Sequence, residues 1–195
     1  MVLDALDEEA VIGAVESFRP DVVMNQMTSL PKRYNPRKLR PWYKATNRLR
    51  VDGTRILLTA GARVGARRFI YQSIAFMYQN VGPLVVEEGA PVALEAPDPF
   101  GGAVRATVEG ERLATTTEGI IGVALRYGQL YGPGTSSDRP SNHAPIHVDA
   151  AAYAALLAID HGATGIYNIA QPNRYIATEK ARVELGWTPD FRLPT

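Results

Sequence analysis

Residues 51–73 read VDGTRILLTAGARVGARRFIYQS, and this stretch decides the fold class. Ile56, Leu57, Leu58 and Ala60, together with Leu49, form an apolar stripe. That stripe predicts one long helix from about Tyr43 to Ala62. Gly65-Ala66 ends the pattern. Arg68-Phe69-Ile70-Tyr71-Gln72-Ser73 then reads as a short apolar run, a buried strand. A long helix feeding a buried strand is a unit of parallel sheet.

The same alternation extends in both directions. Asp7-Glu8-Glu9 precedes Ala10-Val11-Ile12, Val15 and Phe18, a helix with Asp7 as N-cap and acids at its positive end. Arg19-Pro20 stops it, and Asp21 to Gln26 is a buried strand. Residues 28–43, with Pro31, Pro36, Pro41 and the basic Lys32, Arg33, Arg37, Lys38 and Arg40, read as a loop, with a short helical piece as the alternative. Beyond residue 73 lies an acidic connection, 79–97. A helix from about Gly101 to Thr116 and a strand from Ile120 to Arg126 follow. Tyr131-Gly132-Pro133-Gly134 is a turn and 135–145 a polar loop. His147 to His161 is an Ala/Leu-rich helix, Gly165 to Ala170 a strand, and Glu179 to Leu185 a helix stopped by Gly186. The expected class is α/β, a doubly wound parallel sheet with helices on both faces.

Composition narrows the function. The 195 residues suit one domain, and 46% hydrophobic with 21% charged residues excludes wholesale disorder. The charge is +1, from 21 basic and 20 acidic residues, so no global field draws the chain to nucleic acid or anionic membrane. The absence of cysteine excludes disulfides, thiolate nucleophiles and Cys-ligated metals, and fits a cytoplasmic protein. No apolar run approaches the roughly 20 residues of a membrane span, and the N-terminus lacks the basic start of a signal peptide. His143, His147 and His161 have no metal-binding spacing, so no metal is expected.

The order of short motifs resembles the extended short-chain dehydrogenase/reductase, or NAD-dependent epimerase/dehydratase, family. Asp4-x-x-Asp7 is similar to its third strand end, and Pro20-Asp21-Val22-Val23 to its fourth strand. Val51-Asp52-Gly53-Thr54-x-x-Leu57-Leu58 is similar to its helix motif N-V-x-G-T-x-x-L-L. Arg68-Phe69-Ile70-Tyr71-x-Ser73 is similar to its fifth strand. Leu125-Arg126-Tyr127, Tyr131-Gly132-Pro133-Gly134, His147-Val148-Asp149, Tyr167-Asn168-Ile169 and Leu185-Gly186-Trp187-x-Pro189 follow in family order. The resemblance implies a partial Rossmann-like sheet lacking the first two strands. It implies one domain over 1–195, with a reduced C-terminal substrate lobe at about 132–147 and 171–195.

Family chemistry uses a Ser/Thr hydroxyl, a Tyr as general acid/base and a Lys that lowers the Tyr pKa. Those three positions hold Ile74, Phe100 and Val104 here, and the Asn of N-V-x-G-T is Arg50. No G-x-x-G-x-x-G occurs. The resemblance implies NAD or NADP as cofactor, with Asp4, Met27, Ser73 and Tyr127 beside it. It implies Arg126, Tyr131 and His147 beside the substrate, and leaves Tyr127 and Tyr131 as the candidate catalytic phenols. The bland readings are a strand-end acid for Asp4, a surface-carboxylate partner for Arg126, a helix-start residue for His147 and a solvated hairpin or loop tip for Glu87-Glu88.

Three functional readings stay open. One is NAD(P)-linked oxidoreduction or epimerisation of a sugar-like substrate, impaired by the lost triad. Another is a cofactor-free isomerase or cyclase. The third is a non-catalytic pseudoenzyme that binds a ligand or partner. A small molecule is the expected partner, with a homodimer through the helices at 43–62 and 101–116. The stub at 2–5 is expected to shift inward and cover the exposed edge of the strand at 21–26.

Overall fold

Asp7 starts the first helix as its acidic flank predicts. Its Oδ1 accepts a hydrogen bond from the Ala10 N–H at 3.1 Å, and α1 runs over Glu8–Phe18 until Arg19 takes a left-handed conformation. The computed structural model describes residues 1–29, 39–79 and 85–194. Strand β1 is Val22–Asn25, and α2 is Leu39–Arg48. Helix α2 continues through a π turn at Leu49–Gly53 into α3, Thr54–Val64. Thus the long helix read from the sequence exists, starts earlier and carries a bulge in its middle. Strand β2 is Arg68–Ile74, α4 is Phe100–Thr116 and β3 is Ile121–Tyr127. Short strands β4, Gln129–Tyr131, and β5, Pro145–His147, pair with each other in what the sequence suggested was turn and loop. Helix α5 is Val148–Leu157, β6 is Gly165–Ile169 and α6 is Glu179–Leu185. Gly186 closes α6 at φ 68°, a left-handed position that suits glycine.

The main sheet has the order β1-β2-β3-β6 and is parallel throughout. Strand alternation sorts its side chains to two faces. Phe69, Tyr71 and Ala124 pack under α3 and α4 with Leu58 and Ala114. Ile70, Val123, Leu125 and Tyr127 pack under α5 and α6 with Ala154, Leu185 and Trp187. Both faces are therefore covered by helices, as a doubly wound sheet requires. Arg68, only 4% exposed, donates to the Ala158 carbonyl at 2.7 Å, the Gly162 carbonyl at 2.5 Å and the His161 carbonyl. It satisfies carbonyls left over beyond the end of α5.

One expectation fails. Residues 2–5 form no strand and do not cover β1, which pairs only with β2 among the described residues. Asp4 Oδ1 instead accepts the Leu6 N–H at 3.0 Å, a local side-chain turn that competes with an extended backbone. Met24 on β1 stays 39% exposed. No helix among the described residues is long and apolar enough to cross a membrane. Lys32, Arg33, Arg37 and Lys38 lie outside the described residues, and Arg40 sits exposed in the first turn of α2.

Candidate functional site

A cleft of about 630 Å³ opens at the C-terminal ends of β1, β2 and β3. Ligands of open parallel sheets bind at this end, where loops rather than strands meet. Met27 and Thr28 enter from beyond β1, Gln72, Ser73 and Ile74 from the end of β2, and Tyr127 from the end of β3. Tyr43, Thr46 and Arg50 come from α2 and the π turn, Phe100 and Ala103 from the first turn of α4. The loop after β4 adds Ser137 and Arg139. Gly53 lets Met27 lie close, since a Cβ there would stand 2.9 Å from the Met27 Cε.

Of the residues read from the sequence, Met27, Ser73 and Tyr127 line this cleft. Ile74 and Phe100, at the Ser/Thr and Tyr positions of the resemblance, line it too, whereas Val104 is fully buried in the core. Burial raises the pKa of the Tyr127 phenol, against a hydrogen bond with Gln26 that lowers it. The phenol therefore stays protonated at neutral pH.

Asp4, Arg126, Tyr131 and His147 lie outside the cleft lining. Asp4 is an exposed turn residue. Tyr131 meets the His147 ring edge-on at 5.1 Å between centroids and donates to Gln171 Oε1 at 3.0 Å. His147 is the N-cap of α5, its Nδ1 accepting the Asp149 N–H at 3.2 Å. That matches its bland reading as a helix-start residue.

Arg126 pairs with a carboxylate, as its bland reading has it, but a buried one rather than one at the surface. It is 4% exposed and paired with Glu111, itself 3% exposed. Its Nε and Nη2 donate to the two Glu111 carboxylate oxygens at 2.7 Å each. Its Nη1 donates to the Tyr78 hydroxyl at 2.8 Å and to the Glu88 carbonyl at 2.9 Å. Burial opposes the Arg126 charge, and the bonds to Glu111 and Tyr78 outweigh it, holding the guanidinium charged. Ser73, which also lines the cleft, donates to Glu111 Oε1 at 2.5 Å. Tyr78 in turn donates to Asn168 Oδ1 at 2.7 Å, and Glu88 Oε1 accepts the Asn168 N–H at 2.8 Å. Glu88 is thus no solvated loop tip: it ties its segment to the end of β6.

The strand register explains this network. Ser73 lies opposite Arg126, and Arg126 opposite Asn168, across three adjacent strands. All three side chains fall in one row, and Glu111 of α4 meets two of them. Sequence separations of 15 to 90 residues hid the row.

Sequence reasoning also missed Arg50 as a cleft residue. It is half-buried, and among the described residues its guanidinium has one hydrogen-bond partner, Asn47 Oδ1 at 3.2 Å. Burial lowers its pKa, while the nearby Tyr71 and Tyr43 phenols act to raise it. The departure from Asn at the start of the N-V-x-G-T-like motif was the available signal.

A dinucleotide's pyrophosphate is held by backbone N–H groups of a glycine-rich turn that opens a helix. Gly61 and Gly65 instead end α3, and Gly132 and Gly134 follow β4 and open no helix. Among the described residues none of these glycines forms such a turn.

The family model described as "NAD dependent epimerase/dehydratase family" matches residues 1–155. A curated relative, "3-diazoavenalumate denitrifying reductase" of a Streptomyces species, is 40% identical over 190 residues. That match covers 87% of this chain, and the chain spans 61% of the relative's length. The UDP-glucose 4-epimerase of Thermotoga maritima, solved with UDP-glucose, superposes with a TM-score of 0.77 at 19% identity, over 97% of this chain and 79% of that one. RMD of Pseudomonas aeruginosa, solved with NADPH, gives 0.77 at 18% identity, over 98% and 83%. The dTDP-glucose 4,6-dehydratase of Streptomyces venezuelae, solved with NAD, gives 0.77 at 14% identity, over 97% and 74%.

Proposed function

The chain belongs to the NAD-dependent epimerase/dehydratase family, and on that premise we propose that it carries the nicotinamide-end and substrate side of an NAD(P)-linked reductase acting on a diazo-bearing carboxylate. The observation that carries this reading is the pair Ile74 and Phe100 facing the cleft where the family holds a hydroxyl and a phenol. Reduction of a carbonyl or oxidation of an alcohol moves a proton on oxygen, and needs that relay. Reduction at a carbon that bears a cationic diazonium group does not, because hydride and cation already balance. A hydride forms the new C–H bond, the C–N bond breaks, and its electron pair leaves with dinitrogen. No oxygen at the reacting carbon gathers charge, so an apolar wall of Ile74 and Phe100 is compatible with the step. Reduced NAD(P), when bound, supplies the hydride. The 40% identity to a reductase named for 3-diazoavenalumate supports the substrate class.

Ile74, Phe76 and Phe100 shield the reacting carbon from water, and protonated Tyr127 closes the sheet side of the cleft. The Ile74 and Phe100 wall, which offers no proton, also suits a second reading, ligand binding without redox chemistry. One experiment separates the two. The chain as written, and the same chain joined to any in-frame coding sequence upstream of Met1, are given 3-diazoavenalumate and nicotinamide-deuterated NADH or NADPH. Deuterium in a product that has lost dinitrogen supports the reductase. No label transfer by either protein overturns it and leaves the binding reading. The homodimer expected through α2–α3 and α4 is checked by light scattering, where a mass of 21.2 kDa refutes it.

A further inference from the structure

We propose that Arg50 is the anion-binding residue of the cleft, and that it takes the carboxylate of an unsaturated aromatic acid. This deepens the reading above and rests on its placing of the substrate in this cleft. Among the described residues twenty line the cleft, and none of them is Asp or Glu, while two, Arg50 and Arg139, are Arg. An electropositive cleft in a chain of net charge +1 is a local arrangement, not an overflow of basic composition.

Arg50 is the better placed of the two. Arg139 is exposed on the loop after β4, whereas Arg50 is half-buried on the helical wall. A guanidinium has five N–H donors, and among the described residues only Asn47 accepts one of them. No carboxylate pairs with it among those residues, in contrast to Arg126. A partly desolvated cation without a counter-charge is unfavourable until an anion arrives. Arg50 also sits within the π turn at Leu49–Gly53. Such bulges shift side chains relative to the regular helix and recur at functional sites.

The ligand class follows from the neighbours. The planar guanidinium fork matches the two oxygens of one carboxylate. Tyr43, Phe76 and Phe100 offer aromatic surface to a flat, conjugated body in the same cleft. A nucleoside diphosphate spreads more charge over two phosphates, and the second cation that the described lining offers, Arg139, comes from the loop after β4 rather than the helical wall.

Calorimetry with cinnamate and its uncharged amide tests this without cofactor or turnover. The unmodified chain is expected to bind cinnamate at least about tenfold more tightly than the amide, the scale of a charge-assisted hydrogen bond. Arg50→Gln removes the preference and leaves amide binding unchanged. Arg50→Lys, which keeps the charge but not the fork, is intermediate, and Arg139→Gln keeps the preference. Circular dichroism confirms that each variant is folded, and if Arg50→Gln is not, Arg50→Lys decides. The proposal is overturned if neither probe binds, if both bind equally, if folded Arg50→Gln or Arg50→Lys keeps the full preference, or if UDP binds through Arg50 more tightly than cinnamate. Absence of deuterium transfer in the earlier experiment would sink the reductase and leave this result standing.

Discussion

Glu111→Ala is expected to be the most damaging single truncation behind the cleft. In the native structure Glu111 and Arg126 are 3% and 4% exposed and share two hydrogen bonds of 2.7 Å. Removing the carboxylate strands Arg126 in the core. The Tyr78 hydroxyl and the Glu88 carbonyl remain, but both are neutral, and Ser73 loses its acceptor as well. Breaking a buried pair on one side costs about 3–5 kcal/mol. Against a typical total of about 5–15 kcal/mol this is a large share, and it corresponds to a fall in Tm of roughly 6–20 °C for a domain of this size. Removing both charges is a different perturbation. Glu111→Leu with Arg126→Met leaves no uncompensated ion, and replacing a buried pair by packed apolar side chains is often neutral or better. The double variant is therefore expected within about 2 kcal/mol of the native chain, with Tyr78 still bonded to Asn168. Urea unfolding of the native chain, both singles and the double closes the cycle. A loss below about 1 kcal/mol for Glu111→Ala, the range of exposed ion pairs, refutes the reasoning. So does a double variant as unstable as the single.

Tyr71→Phe should be neutral or stabilising by up to about 1–2 kcal/mol, because the Tyr71 hydroxyl is buried without a hydrogen-bond partner among the described residues; a loss above that size in urea melts would reveal a partner. The phenols of Tyr71, Tyr78, Tyr127 and Tyr167 all have pKa values raised, by burial above all. The unfolded chain loses these protons near pH 10 while the folded chain keeps them, so stability is full below about pH 10 and falls above it; tyrosinate absorbance that rises for these phenols before unfolding would contradict this. Val104→Lys should fail to restore family chemistry and should destabilise by several kcal/mol, on the order of 3 or more, because Val104 is fully enclosed. Phe100→Tyr, on the cleft wall, should be tolerated, and thermal melts of the two variants give the contrast.

The order of helices and strands was legible because apolar period and turn chemistry are local. Asp7, Gly65 and Gly186 mark ends that the structure keeps. The π turn at Leu49–Gly53 was not legible, since one extra residue per turn barely disturbs an apolar stripe. The pairing of β4 with β5 was hidden by loop-like composition at residues 135–145. Buried polar residues were the hardest to read. Arg126 looks like a strand-end cation in sequence, and only tertiary structure brings Glu111, Tyr78 and Glu88 to it. Gly110 is a part of this that no local pattern marks: a Cβ there would stand 2.2 Å from the Tyr71 hydroxyl, so α4 packs onto β2 only with glycine at that point.

Parity along the strands explains which residues remain available for chemistry. Ser73 and Arg126 are neighbours in register and share the α4 face of the sheet, where Glu111 takes both. Ile74 and Tyr127 are the next residue on each strand and fall on the opposite face. A one-residue step thus separates side chains tied to Glu111 from side chains that are not, and Ser73 alone of the first set also lines the cleft among the described residues. The polar groups at 73 and 126 cannot substitute for a missing hydroxyl at 74 without breaking the Glu111 pair. Chemistry in this cleft must therefore draw on groups from outside the network, and Arg50 on the helical wall, which has no carboxylate partner among the described residues, is the charged group that the helical wall offers.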